Sequence, residues 1–196
     1  TRSVQETMKI EKGQPGYIKA RKMRYLLYAV VEFAMVAAVF ILGYVQTKSR
    51  LNLFTVLAII GCLPAAKMLV EFITMAPYKS IDTAIYKEIE EKAPLLIRIY
   101  DLIITSSEKV MPVDAIVIAD HVVCGYTSSA KTDENRLARD IKQALKNQHY
   151  EKITVKIFHD YKAFLARAEG MNNIASVEQP QHRKKERAIR DIIKSL

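Results

Sequence analysis

Two long runs of apolar residues dominate the first half of the chain, and shorter alternating runs fill the second. The first long run, 25–46 (YLLYAVVEFAMVAAVFILGYVQ), carries a single charge, Glu32. The second, 51–75 (LNLFTVLAIIGCLPAAKMLVEFITM), carries Lys67 and Glu71. At 1.5 Å per residue, either is long enough to cross a hydrocarbon core of about 30 Å. Only Thr47-Lys48-Ser49-Arg50 separates them, which predicts an antiparallel two-helix transmembrane hairpin. The first run is too long, and lacks the small-residue pattern, for a cleaved signal peptide.

Beyond Ala76-Pro77 the periodicity changes. Ile81, Ile85 and Ile89 mark one stripe of a helix over 81–92, with Ser80 as its cap and Pro94 as its stop. Segments 95–105, 113–119 and 121–126 are short, apolar and β-branched, with Pro112 and Asp120 punctuating them. They predict a three-strand antiparallel meander. Thr132 is the expected N-cap of a helix to Asn147, with Leu137, Ile141, Ala144 and Leu145 inward. Residues 152–158 (KITVKIF) alternate as a fourth strand, and Asp160 opens a short helix that Gly170 should end. Nothing regular is evident over 171–182, whereas 183–196 (RKKERAIRDIIKSL) is a basic amphipathic helix. The expected organisation is a basic arm (1–24), a hairpin (25–75), an α/β domain (76–170) of order α-β-β-β-α-β-α, and a linker with a C-terminal helix (171–196).

Charge then sets the expected topology. The net charge is +9, and the 24 residues before the first apolar run hold seven basic and two acidic side chains. By the positive-inside rule they place the N-terminus in the cytosol, against Lys48 and Arg50 alone in the turn. Two crossings return the chain, so both termini are expected on the cytosolic side of a multi-pass plasma-membrane protein. From Tyr78 onward there are 20 basic and 17 acidic residues, too even a balance for a nucleic-acid-binding surface. Lys19, Arg21, Lys22 and Arg24, with Arg183, Lys184 and Lys185, are instead candidate contacts to the anionic headgroups of the inner leaflet. For the C-terminal helix, packing on the domain and self-association are the competing readings.

The charges inside the apolar runs are informative. Glu32 and Lys67 both fall about 10–12 Å from the predicted cytosolic boundary. Glu71 lies one turn from Lys67 on the same helix. An unpaired charge there costs about 2.5–3.5 kcal/mol or more, so a Glu32–Lys67–Glu71 network is expected to fix the register of the hairpin or of an oligomer. A polar lining for ions is the alternative, and would require several copies of the chain.

Candidate chemistry elsewhere is sparse. The loop 125–132 (GYTSSAKT) gathers Thr127, Ser128, Ser129, Lys131 and Thr132 at a predicted helix start, a candidate anion site for a small phosphorylated ligand. It lacks the glycine spacing of nucleotide fingerprints. His121 and Cys124 form H-x-x-C with no second pair at zinc spacing, so no metal site and no cofactor are expected. His159-Asp160, after the fourth strand, reads as a structural cap. Cys62 and Cys124 are read as apolar fillers in a reducing compartment.

The element order, together with Val113-Asp114-Ala115-Ile116-Val117-Ile118, resembles the core of restriction-endonuclease-like domains, specifically the second strand of a nuclease-related domain. The resemblance spans about 75 residues. It implies an E-x-K on the next strand, with carboxylates holding Mg²⁺ and a lysine assisting phosphodiester hydrolysis. Here that strand reads His121-Val122-Val123-Cys124-Gly125-Tyr126, with neither acid nor lysine, so the resemblance implies a scaffold without nuclease machinery. The leading expectation is a homo-oligomeric, membrane-anchored interaction or sensing module with no evident catalytic machinery. An oligomeric channel or transporter subunit comes next, and a membrane-bound hydrolase using the 125–132 loop third.

Overall fold

The computed structural model describes residues 10–48, 53–106, 109–177 and 183–196. The first nine residues of the basic arm, 49 and 50 of the expected hairpin turn, and 178–182 of the expected linker lie outside them. Six helices and four strands occur among the described residues. They divide into two compact units, Ile18–Lys79 and Ile10–Tyr17 with Ser80–Leu196.

Helix α1 (Tyr17–Thr47) and helix α2 (Leu53–Met75) make the first unit. α1 starts eight residues before the apolar run does, because Pro15-Gly16 is the nearest breaker and 18–24 (IKARKMR) are good helix formers. The two helices run antiparallel. Lys22 Nζ donates to the carbonyl of Ala76 at 2.7 Å and also to that of Tyr78, where the end of α2 leaves carbonyls without helical partners. Deeper in, Gly61 lies so close to Val36 that a Cβ added there would stand 2.9 Å from Val36 Cγ2. Ala29, Gly43, Ala58 and Ala65 are also buried, so small residues line the seam where backbones approach. Large apolar side chains such as Val30, Met35, Ile41, Leu57, Ile59 and Leu63 are exposed.

The second unit is built on a four-stranded sheet in the order β1-β2-β3-β4. β1 (Ile97–Thr105), β2 (Val110–Ala119) and β3 (Val122–Tyr126) form the expected antiparallel meander. β4 (Thr154–Phe158) pairs parallel to β3, after the crossover through helix α4 (Glu134–Asn147). One face carries Ile99, Leu102, Met111, Ile116 and Val123 under α4 and the C-terminal helix α6 (Arg183–Ser195). The other carries Tyr100, Ala115, Val117, Cys124 and Tyr126 under α3 (Thr83–Lys92) and α5 (Tyr161–Val177). Ile189 and Ile193 are fully buried, so α6 packs on the sheet, the arrangement that the domain-packing reading expected.

The two-residue alternation of side chains resets on β1 and β2 at the same level. Ile99 and Leu102 share a face although they are three positions apart, and so do Val113 and Ile116. Between these pairs Asp101 adopts φ 53°, a left-handed conformation that breaks the alternation of β1. Its buried carboxylate accepts the Ile81 N–H at 2.7 Å, which holds the strained residue in place.

Other boundaries also differ from the sequence reading, and β2 starts at Val110, so that Pro112 lies inside it and does not mark its entry. α3 is capped by Asp82, whose carboxylate accepts from Ala84 N–H, and not by Ser80. α4 is capped by Asp133, and not by Thr132. In both, the carboxylate one or two residues on reaches the open N–H groups. Gly170 does not end α5, which continues to Val177 because Met171 and Ala175 keep packing on the core. Residues 10–17, read as part of the free arm, join the second unit, where the Gly13 carbonyl accepts from Tyr100 N–H at 2.8 Å.

Tyr100 and Cys124, both buried on the sheet, have polar partners. The Tyr100 hydroxyl donates to Glu90 Oε1 at 2.8 Å, and Arg98 Nε reaches the same oxygen at 2.7 Å. Burial first, and then the Glu90 carboxylate, push the Tyr100 hydroxyl well above its ordinary pKa. Burial likewise raises the Cys124 thiol, partly offset by a hydrogen bond from Arg167.

Gly170 sits inside α5 with open space where a Cβ would be. Gly170→Ala should therefore stabilise the protein by about 0.5–1 kcal/mol through the lower entropy of the unfolded chain. Denaturant unfolding of the two proteins checks this, and an unchanged or lower midpoint contradicts it.

Candidate functional site

The 125–132 loop leaves β3 at the sheet end where parallel β4 also finishes, and it enters α4. Thr127 and Thr132 are both buried, and both hydroxyls donate to the Pro112 carbonyl, at 2.8 and 3.0 Å. The backbone donors are used within the fold. Ser128 N–H goes to Asp114 Oδ2 at 2.9 Å, Ser129 N–H to Thr127 Oγ1 and Lys131 N–H to Ser129 Oγ at 3.3 Å each. Thr132 N–H reaches the Ser129 carbonyl at 3.1 Å. The start of α4 is already filled by an anion of the chain itself. Asp133 Oδ1 accepts from Asn135 and Arg136 N–H at 3.0 Å each, and these backbone bonds, that to Arg136 foremost, hold its carboxyl below the usual range. Of the five side chains expected to greet a ligand, Ser128 and Lys131 remain exposed.

His159, read from sequence as part of a cap, closes this loop. Its Nδ1 lies 3.0 Å from the Thr127 carbonyl and its Nε2 3.0 Å from the Thr132 carbonyl, so one ring clasps both ends. Both partners are acceptors, so a neutral ring donates to one of the two carbonyls and a charged ring to both. Its backbone N–H donates to Glu134 Oε1 at 2.6 Å. Asp160 does cap, accepting from Lys162 N–H at 3.0 Å. No local sequence feature announces the clasp, because β4 brings His159 to residues 27 and 32 positions earlier. Asp114, on which the nuclease resemblance rests, is the acceptor for Ser128 N–H.

In the first unit the expected charge trio is not drawn into one network. Among the described residues no ion pair joins Glu32, Lys67 and Glu71. Glu71 instead shares a hydrogen bond with the Tyr25 hydroxyl, which accepts from Arg21 Nε at 3.0 Å. The Arg21 guanidinium also lies 5.4 Å from the Tyr25 ring centre. Glu32 Oε2 is buried with no hydrogen-bond partner among the described residues, and Lys67 is exposed. The Lys22–Ala76 and Val36–Gly61 contacts bracket both residues, so Glu32 and Lys67 lie at a similar level along the seam. Of the candidate headgroup contacts, Lys19, Arg183 and Lys184 are exposed, and Arg21, Lys22, Arg24 and Lys185 are half-buried. Among the described residues no group of three or more His, Cys, Asp or Glu side chains is placed to hold a metal ion.

His159→Ala removes the ring that bridges the two carbonyls and should cost about 1–2 kcal/mol of stability. The local readout is amide exchange, which should accelerate over 128–132 more than in β2. Unchanged exchange there would mean that the ring is not the clasp.

Compared with known proteins, the chain matches no family model, no curated protein and no solved structure.

Proposed function

We infer that the chain is a membrane-anchored module whose hairpin holds the α/β unit at the cytosolic face, where it works by interaction or sensing. One observation carries this reading. α1 and α2 are long and apolar enough to span a bilayer, and the most apolar window of each is only 11% buried. Core helices of a water-soluble fold would be covered, and so large an exposed apolar surface needs lipid or a partner. The basic side chains near the start of α1 support cytosolic termini at an anionic leaflet. The restriction-endonuclease-like resemblance fits here as a scaffold put to binding use, since β3 offers no acid or lysine. The internal pairing of the 125–132 donors also favours a binding module over a hydrolase.

Assembly of several copies has its own support in Glu32 and Lys67. A carboxylate oxygen without a partner and an exposed lysine at a similar depth are costly in lipid, by about 2.5–3.5 kcal/mol or more for the lysine. Exchange of this pair between neighbouring hairpins would offset that cost, and a ring of such hairpins would be the channel alternative.

Two measurements test the reading. The full chain should stay in the membrane pellet through alkaline carbonate extraction, and release into the supernatant would overturn the hairpin anchor. Native mass spectrometry in detergent should show an oligomer that Lys67→Met converts toward the monomer. A wild-type monomer would remove the assembly reading and leave the anchor untouched.

A further inference from the structure

The α/β unit holds a cleft of 360 Å³ lined by residues other than those of the 125–132 loop. Three separate segments wall it: the turn from β2 to β3, the connection from α4 to β4, and the first turn of α6. His121, His149, Tyr150, Glu151, Lys152 and Lys185 line it, so two lysines and two imidazoles face a single carboxylate, Glu151. Lys152 and Lys185 are far apart in the sequence, and only the fold brings them to one concavity.

Two acids beside the cleft are hydrogen-bonded within the fold. Glu186 Oε1 accepts the Asp120 N–H at 2.7 Å, and the Asp120 carboxylate bonds His121 Nδ1. Among the described residues, neither Lys152 nor Lys185 is paired with a carboxylate, and the His149 ring has no hydrogen-bond partner. Left-handed backbone at Asp120 (φ 44°) and His149 (φ 67°) shapes two of the walls, a conformation that L-residues adopt at a cost. Two lysines brought to one concavity, neither of them ion-paired among the described residues, are the electrostatic complement of an anion. A volume of this order suits a small ligand, and lysine binds phosphate well as a point charge.

We propose that this cleft binds a phosphate-bearing ligand, with Lys152 and Lys185 as charge partners, His121 and His149 as hydrogen-bonding groups, and Tyr150 beside the remainder of the molecule. The phosphate can come from a soluble metabolite or from a lipid headgroup, since the recognition chemistry is the same. The site does not depend on whether α1 and α2 cross a membrane.

The test is calorimetric titration of pyrophosphate into the full chain in neutral detergent. Saturable binding is expected, and Lys152→Ala with Lys185→Ala should weaken it by about tenfold. The control, Lys142→Ala with Lys162→Ala, removes the same charge from exposed positions on α4 and α5 and should leave affinity unchanged. Matching unfolding midpoints for all three proteins establish that the variants fold. Repeating the titration in micelles doped with a phosphoinositide assigns the source: competition indicates a headgroup, and unchanged affinity indicates a soluble ligand. No saturable binding, or equal losses in both double variants, overturns the proposal.

Discussion

A sheet that is apolar on both faces sets the terms for the α/β unit. β2 buries seven of its ten residues, which is possible only if helices cover it from both sides. α4 and α6 cover one face, and α3 and α5 the other. The chain order follows from that demand. A meander alone leaves both faces wet, so β4 must be reached by a crossover helix, and the last helix must return to the sheet. The break at Asp101 is the accommodation the strands make. The left-handed residue changes which side chains of β1 face which layer, and its carboxylate is fixed by the Ile81 backbone just ahead of α3.

The hairpin obeys a different constraint. In the proposed membrane placement there is little hydrophobic gain from helix association, so close packing and polar ties have to hold the pair. Gly61 and the buried alanines supply the close approach, and Lys22 with the Arg21–Tyr25–Glu71 chain supplies ties at one end. Tyr25 meets the hydrogen-bonding need of Glu71 that an ion pair with Lys67 had been expected to meet. Glu32 Oε2 is buried with no hydrogen-bond partner among the described residues, and Lys67 is exposed.

The two ends of the parallel β3–β4 pair have opposite characters. At the C-terminal end the polar groups satisfy one another: His159 clasps two carbonyls, Asp133 fills the start of α4, and the threonine hydroxyls share the Pro112 carbonyl. An anion arriving there would have to displace bonds already made. At the other end, lysines and imidazoles face a cleft with one carboxylate among them. Hydroxyl and lysine content made the first end look like a site, whereas pairing within the fold makes the second the better candidate.

The sequence by itself determined what depends on neighbours along the chain. The two long apolar helices, the meander over 97–126 and its turn at Asp120 are set by hydrophobic period and local turn chemistry. So is the amphipathic α6. Helix ends were less legible: Ser80 and Thr132 are as suited to capping as Asp82 and Asp133, and only the backbone path selects between them. Gly170 reads as a stop until Met171 and Ala175 find a core to bury against. The tertiary structure alone decided the parallel pairing of β4 with β3, the clasp of His159 and the Tyr25–Glu71 bond. It also decided the meeting of Lys152 with Lys185. Each of these joins residues distant in sequence, and no local periodicity encodes which distant polar group will stand opposite once the apolar faces are buried.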